Sequence, residues 1–237
     1  MIARSFTFGG KNCRTCGVVC SGSGTFGAPE RDVTMVEVPG RNGALVIDNG
    51  RWKNIHVTYP CSIARDFAAN MAALRAWLLS QRGYQRLEDS YDTEHFRMGQ
   101  FRAELSPEVT TGCRGATFDV VFDCKPQRWL VSGETAVTMS NGGELTNPTP
   151  FDALPLITVT GSGAGTLTVG GVTVEILSMP ESTLTIDCET QNAYSSAGNR
   201  NNVIFAPEFP VLAAGSAAIS WEGSIISVSV IPRWWTL

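Results

Sequence analysis

Three cysteines fall within eight residues, Cys13, Cys16 and Cys20 in CRTCGVVC. A Cys-x2-Cys pair is half of a structural zinc site, and closely spaced thiols can also form a disulfide. Zinc needs four ligands, commonly two such pairs. The remaining cysteines, Cys61, Cys113, Cys124 and Cys188, are isolated in the sequence, as are the only two histidines, His56 and His95. Cys20 also lies in the apolar run GVVC, where a small buried thiol is the ordinary role. One pair without a complement predicts no bound metal and no cofactor. The segment reads as a cysteine-rich turn with reduced thiols.

A second group, Glu88, Asp89, Asp92 and Glu94 with His95 beside them, has the residue types of a metal site or a glycosidase. Glycoside hydrolysis needs two carboxylates held across a cleft, and a calcium loop needs a central Gly and a distant closing Glu. Neither pattern is present, so these residues read as a polar hairpin turn. GSGAG, Gly161 to Gly165, has the glycines of a phosphate loop but lacks the following Lys-Ser/Thr and a helix to offer N–H groups. Trp221, Trp234 and Trp235 could stack on a sugar, although β-sandwich cores use such residues routinely. No nucleophile elbow and no set of metal ligands occurs, so no catalytic residue is assigned.

The elements that hold these residues are mostly strands. With 24 Gly and 12 Pro among 237 residues, turns are frequent, which favours a β-rich architecture. The net charge of −4 leaves no basic footprint for nucleic acid. Charge is uneven: residues up to Arg128 carry a net +3 and the remainder −7, as for two units with different surroundings. FAANMAALRAWLL is broken by Arg75 and too short to span a bilayer, so no membrane insertion is expected. MIARSFTFGG lacks the apolar core of a signal peptide.

SFTF and GVVC begin the chain as short strands, followed by a Gly/Ser loop. VTMVEVPGRNGALVIDNGRWKNIHVTYP reads as a three-stranded meander turning at Pro39–Gly43 and at Asp48-Asn49-Gly50, because Asn-Gly supplies the positive φ of tight hairpins. One helix is expected in SIARDFAANMAALRAWLLSQRG, capped by Ser62 and ended by Gly83. Its apolar face is Ile63, Phe67, Met71, Leu74, Trp77 and Leu78. A hairpin turning at Tyr91-Asp92-Thr93 follows, then the strand ATFDVVFDC. Residues 132–153, small and Gly-rich, read as a linker between a first domain, 1–131, and a small antiparallel sandwich, 154–237.

Taken in order, SFTFGG, VPGRNGALVIDNG, WLLSQRGYQRLEDSYD, FDCKPQRWLVSGE, NPT before Leu154-Pro155 and the terminal PRWW resemble the distal tail (Dit) proteins of long-tailed, non-contractile bacteriophages. The resemblance spans nearly the whole chain, and GYQRLEDSYD followed by CKPQR carries most of it. It implies a mainly β fold: a ring-forming β-sandwich with one helix and a projecting hairpin, then a galectin-like β-sandwich. It implies a non-enzymatic virion protein, assembled in the bacterial cytoplasm. Six copies would form a ring between the tail tube protein and the tail-tip, tail-lysin, fibre or receptor-binding proteins, with DNA passing through the channel without specific binding. In such a ring Arg41 and Asn42 of one copy are candidate contacts for Asp89 and Asp92 of the next, since Arg and carboxylate can pair in bidentate geometry. The alternative is a carbohydrate-binding module acting through the second domain; galectins use a histidine in their sugar site, and no histidine follows His95.

Overall fold

The computed structural model describes residues 4–237 except 23, 25, 111 and 113, so Cys113 lies outside the described residues. The chain divides into two compact units, Met1–Arg128 with Leu237, and Trp129–Thr236. No helix among the described residues is long and apolar enough to cross a membrane.

The first unit contains β1 (Phe6–Phe8), β2 (Lys11–Asn12), β3 (Val18–Cys20), β4 (Arg31–Val36), β5 (Leu45–Trp52), β6 (Ile55–Ile63), α1 (Phe67–Ser80), β7 (Gln85–Asp89), β8 (His95–Phe101), β9 (Glu108–Val109) and β10 (Ala116–Leu130), whose last two residues enter the second unit. Its main sheet runs β2-β1-β7-β8-β10-β6-β3, with β9 on β10. Alternation along β6 and β10 sends Val57, Tyr59, Cys61 and Ile63, and Phe118, Val120 and Phe122, into one core. Met71, Leu74, Trp77 and Leu78 of α1 close that core. Phe6 lies at its centre, stacked on Tyr59 at 5.0 Å and on Trp77 at 5.9 Å.

The expected helix is present but starts later. Ser62 and Ile63 belong to β6, where Ile63 pairs with Ala116 on one side and Val18 on the other. The ladder claims these two residues, and the helix begins after Asp66, whose side chain makes no capping bond. Gln81, extended, rather than Gly83, ends it. The expected β7–β8 hairpin is present, with Gln85 opposite Gly99 and Leu87 opposite Arg97.

The meander is not formed as expected. β4 and β5 make a two-stranded sheet of their own, while β6 pairs with β3 and β10. Asp48-Asn49-Gly50 is not a turn but part of β5: Val33 faces Asp48 and Arg31 faces Trp52, so Asn49 to Arg51 oppose Asp32 alone. This is a bulge, and Gly50 supplies its positive φ of 72°.

The second unit contains β11 (Val137–Met139), β12 (Gly143–Asn147), β13 (Leu156–Val169), β14 (Val172–Ile176), β15 (Thr183–Asp187), β16 (Asn192–Ser195), β17 (Gly198–Asn199), β18 (Ile204–Phe205), β19 (Gly215–Ile231) and β20 (Trp235–Thr236). β13 and β19 pair antiparallel along almost their full lengths. The first half of β13 also pairs with β15, and the second half with β14. The register breaks between Thr160 and Gly165, and there the sheet folds over. Ile157 and Val159 from one half then share a core with Leu167 and Val169 from the other. The glycines of GSGAG serve this bend: a Cβ on Gly161 would collide with the Ser224 carbonyl oxygen and Met179 Cε.

Residues 132–153, expected as a linker, carry β11 and β12, both paired with β19. Their glycines and polar residues are those of short strands and turns, and Asn147 is held by Nδ2 bonds to the Phe151 and Leu212 carbonyls at 2.8 and 2.9 Å. Limited proteolysis is therefore expected to cut first at Arg41, in the exposed connection between β4 and β5, and not between 132 and 153. Mass mapping of the first fragments checks this, and early cleavage at 132–153 would contradict the pairing described.

Candidate assembly surface: an exposed hairpin arm

β4 and β5 form an arm that is exposed from Thr34 to Val36 and from Leu45 to Arg51 and half-buried at Arg31, Asp32, Val33 and Trp52. Side-chain pairs across the arm place Val36 opposite Leu45 and Thr34 opposite Ile47 on one face, and Met35 opposite Val46 on the other. These are large aliphatic residues left in solvent: Met35 is 60% exposed, Val46 55%, Ile47 47% and Leu45 44%. An isolated two-stranded ribbon is at best marginally stable in water, and long exposed apolar edges invite pairing with another chain.

The base of the arm is held by charge. Arg31 forks onto Asp48, Nη2 to Oδ2 at 2.7 Å and Nε to both oxygens at 3.0 and 3.1 Å, and lies over the Trp52 ring. Arg51 pairs with Asp32 at 2.6 Å, and Lys53 with Glu30 at 3.1 Å. The hydrogen bonds from Arg31 and Arg51 hold the Asp48 and Asp32 carboxyls below their ordinary range. Each such pair is at least partly solvent-exposed and individually weak, so together they fix the pairing of the two strands more than they stabilise the arm.

The four sequence-derived contact residues fare differently. Arg41 and Asn42 stand exposed at the arm's tip. Asp89 is engaged within the chain: Oδ2 accepts from Tyr59 Oη at 2.8 Å, and Oδ1 from the Tyr91 and Asp92 backbone N–H groups at 2.9 and 3.0 Å. Asp92 accepts from Glu94 N–H and Arg128 Nη1 and lies 3.0 Å from His95 Nδ1. Burial pushes the Asp92 carboxyl up, but the His95 and Arg128 interactions outweigh it and keep it low. The acidic knot is thus the internal wiring of the β7–β8 turn. An open groove elsewhere in the first unit, of about 440 Å³, presents the exposed carboxylates Glu104, Glu108 and Asp119. Sequence reading missed both this groove and the apolar faces of the arm; the run VTMVEV…ALVI was the available signal for the latter.

Cys13 and Cys16 begin and end a short 3-10 turn, and both are buried. Cys61, isolated in sequence, lies with its Sγ 3.7 Å from that of Cys20, which is in turn 4.0 Å from Cys13 Sγ. Contact with Cys20 and burial push the Cys13 thiol far up. Contact with Cys13 lowers Cys20, but contact with Cys61 and burial outweigh it, leaving it at about 12. The Cys13 and Cys20 thiols therefore stay protonated at neutral pH. Among the described residues no group of three or more His, Cys, Asp or Glu is disposed to hold a metal ion.

The tryptophans of the second unit are drawn into its packing. Trp234 is buried, and Trp235 stacks on Phe151 at 4.6 Å while donating from Nε1 to the Asp152 carbonyl at 2.8 Å. The two cations of this unit, Arg200 and Arg233, pair with Glu181 and with Asp187 and Glu189.

No protein-family model and no curated protein matches the chain. Solved structures do. Phage SPP1 Dit, a protein described as a paradigm of the hub adsorption apparatus in Gram-positive infecting phages, matches with a TM-score of 0.77 at 10% identity, over 99% of each chain. Chains of the phage P2 baseplate in its activated conformation, with Ca and with Sr, match with TM-scores of 0.52 and 0.50 at 8% identity. They cover 97% and 96% of this chain, and 98% and 97% of their own lengths. At that coverage and TM-score the chain has a Dit-like fold over 99% of its length.

Proposed function

We propose that this chain is a structural hub protein of a phage tail, which assembles as a closed six-membered ring between the tail tube and the tail-tip or host-recognition apparatus. The observation that carries this reading is the agreement with SPP1 Dit over both whole chains, in a protein whose arm offers unpartnered apolar area for assembly. A closed ring needs a heterologous interface, one patch meeting a different patch on the next copy. The arm supplies the first patch. Its tip residue Arg41 can pair with a carboxylate on the neighbour, and Glu108 and Asp119 are better placed to serve than Asp89 and Asp92, whose oxygens are already engaged, or Glu104, which accepts from Ser106 Oγ at 3.0 Å.

The role is non-catalytic and needs no cofactor. DNA passes through the ring's channel without sequence recognition, and the tail tube, tail-tip, tail-lysin, fibre or receptor-binding proteins dock on its faces. The opposite net charges of the two sequence halves offer complementary fields for that docking. The protein resides in the virion, after assembly in the bacterial cytoplasm. Native mass spectrometry and electron microscopy are expected to show six-fold particles as concentration rises or when the tail tube protein is added. A two-fold dimer or a monomer under both conditions would overturn the reading.

A further inference from the structure

We infer that Cys20 and Cys61 form a built-in site for a cross-strand disulfide, an oxidative latch that closes the chain loop carrying the arm. The two residues face each other directly in the β3–β6 ladder. Next to them Ser21 N–H donates to the Pro60 carbonyl at 2.8 Å, while Cys20 N–H turns the other way, to the Arg4 carbonyl at 3.0 Å. Cys20 and Cys61 are therefore a non-hydrogen-bonded pair, the kind in which facing side chains come closest, with Cα atoms about 4.5 Å apart. That spacing falls at the lower end of the range of about 4.4–6.8 Å that a disulfide spans. The sulfurs are already 3.7 Å apart.

Cys13 is the competitor, 4.0 Å from Cys20 Sγ. It sits in the 3-10 turn, where its sulfur accepts from Phe6 N–H at 3.4 Å and donates to the Val18 carbonyl at 3.7 Å. No ladder sets its distance to Cys20, whereas β-pairing holds Cys61 in register. The chain between Cys20 and Cys61 contains the whole arm, Arg31 to Trp52. A bond between them joins the point where the chain leaves the sheet toward the arm to the strand on which it returns.

The structure holds the reduced form, with both thiols buried. Oxidation removes two electrons and two protons from the two thiols and forms one S–S bond. An added diazene oxidant such as diamide accepts both, its N=N bond becoming a hydrazine. Both thiols are buried, so they react with the oxidant as local opening exposes them.

The test treats the full-length protein with diamide, blocks residual thiols, and maps the peptides without reductant. The expected product has lost two hydrogens and links the Cys20 peptide to the Cys61 peptide. Its Tm rises by about 5–10 °C through closure of the long loop. A single proteolytic nick in the arm then leaves one band without reductant and two with it. Cys13→Ala should retain the link and Cys61→Ala should lose it; the wild-type map decides if either variant folds poorly. A Cys13–Cys20 link in place of Cys20–Cys61, or no Cys20–Cys61 link after exhaustive oxidation of the folded protein, would overturn the inference. Neither result bears on ring formation, which is measured separately.

Discussion

Replacing Leu45 and Ile47 together by Lys is expected to abolish ring assembly while leaving the subunit folded. Both side chains project from the same face of the arm, 44% and 47% exposed, and contribute little to the subunit's own core. Exposed substitutions of this kind usually change stability by no more than about 0.5 kcal/mol, and Lys on an exposed edge is a common natural choice. At an interface the balance reverses. Completing the burial of each aliphatic side chain is worth about 1 kcal/mol, and burying an unpaired ammonium costs several kcal/mol more. A loss above about 3 kcal/mol per contact raises the concentration needed for assembly more than about 100-fold. Arg41→Glu, which removes one exposed charge contact, should cost less than about tenfold. Native mass spectrometry across a concentration series, with thermal unfolding as the control, checks both. Assembly of the double variant at the wild-type concentration would show that the arm is not the interface.

Asp89→Ala is expected to destabilise the first unit by about 3–4 kcal/mol, since bonds to a charged acceptor are worth about 1.5–3 kcal/mol each and are only partly additive. The change leaves the Tyr59 hydroxyl, on a residue 2% exposed, without its carboxylate, and it releases the two N–H groups that fold the turn. Burial and the Asp89 charge push the Tyr59 hydroxyl well above its ordinary pKa, so it is the neutral donor throughout the physiological range. In a Tyr59→Phe background the same substitution should cost less, because no buried hydroxyl is then stranded. Urea unfolding of the four proteins measures this coupling. If Asp89→Ala instead weakens the ring with stability unchanged, Asp89 is an inter-subunit contact, as its sequence position alone had indicated.

Features that depend on neighbours in the chain were legible in the residues themselves. The period of Phe67, Met71, Leu74 and Leu78 marks α1, because side chains three and four apart share a helix face regardless of what covers them. The β7–β8 hairpin and the mainly β second unit follow from alternation between turn residues. The scarcity of histidine likewise limits site chemistry before any fold is known.

Tertiary structure decided whatever depends on a partner distant in sequence. Asn49-Gly50 offers positive φ equally to a hairpin turn and to a bulge; the Arg31–Asp48 fork and the pairing of Arg31 with Trp52 select the bulge, and so make an arm instead of a meander. Ser62 and Ile63 satisfy a helix start in isolation, but β3 and β10 flank them and take them as strand. Residues 137–147 look like a linker until β19, some 70–90 positions later, supplies their hydrogen-bond partners. Asp89 reads as a surface charge until Tyr59, 30 residues earlier, is placed against it. The same holds for the thiols. CRTCGVVC draws attention to Cys13 and Cys16, yet Cys20 lies nearer to Cys61 than to Cys13, brought there by a ladder that no local spacing encodes.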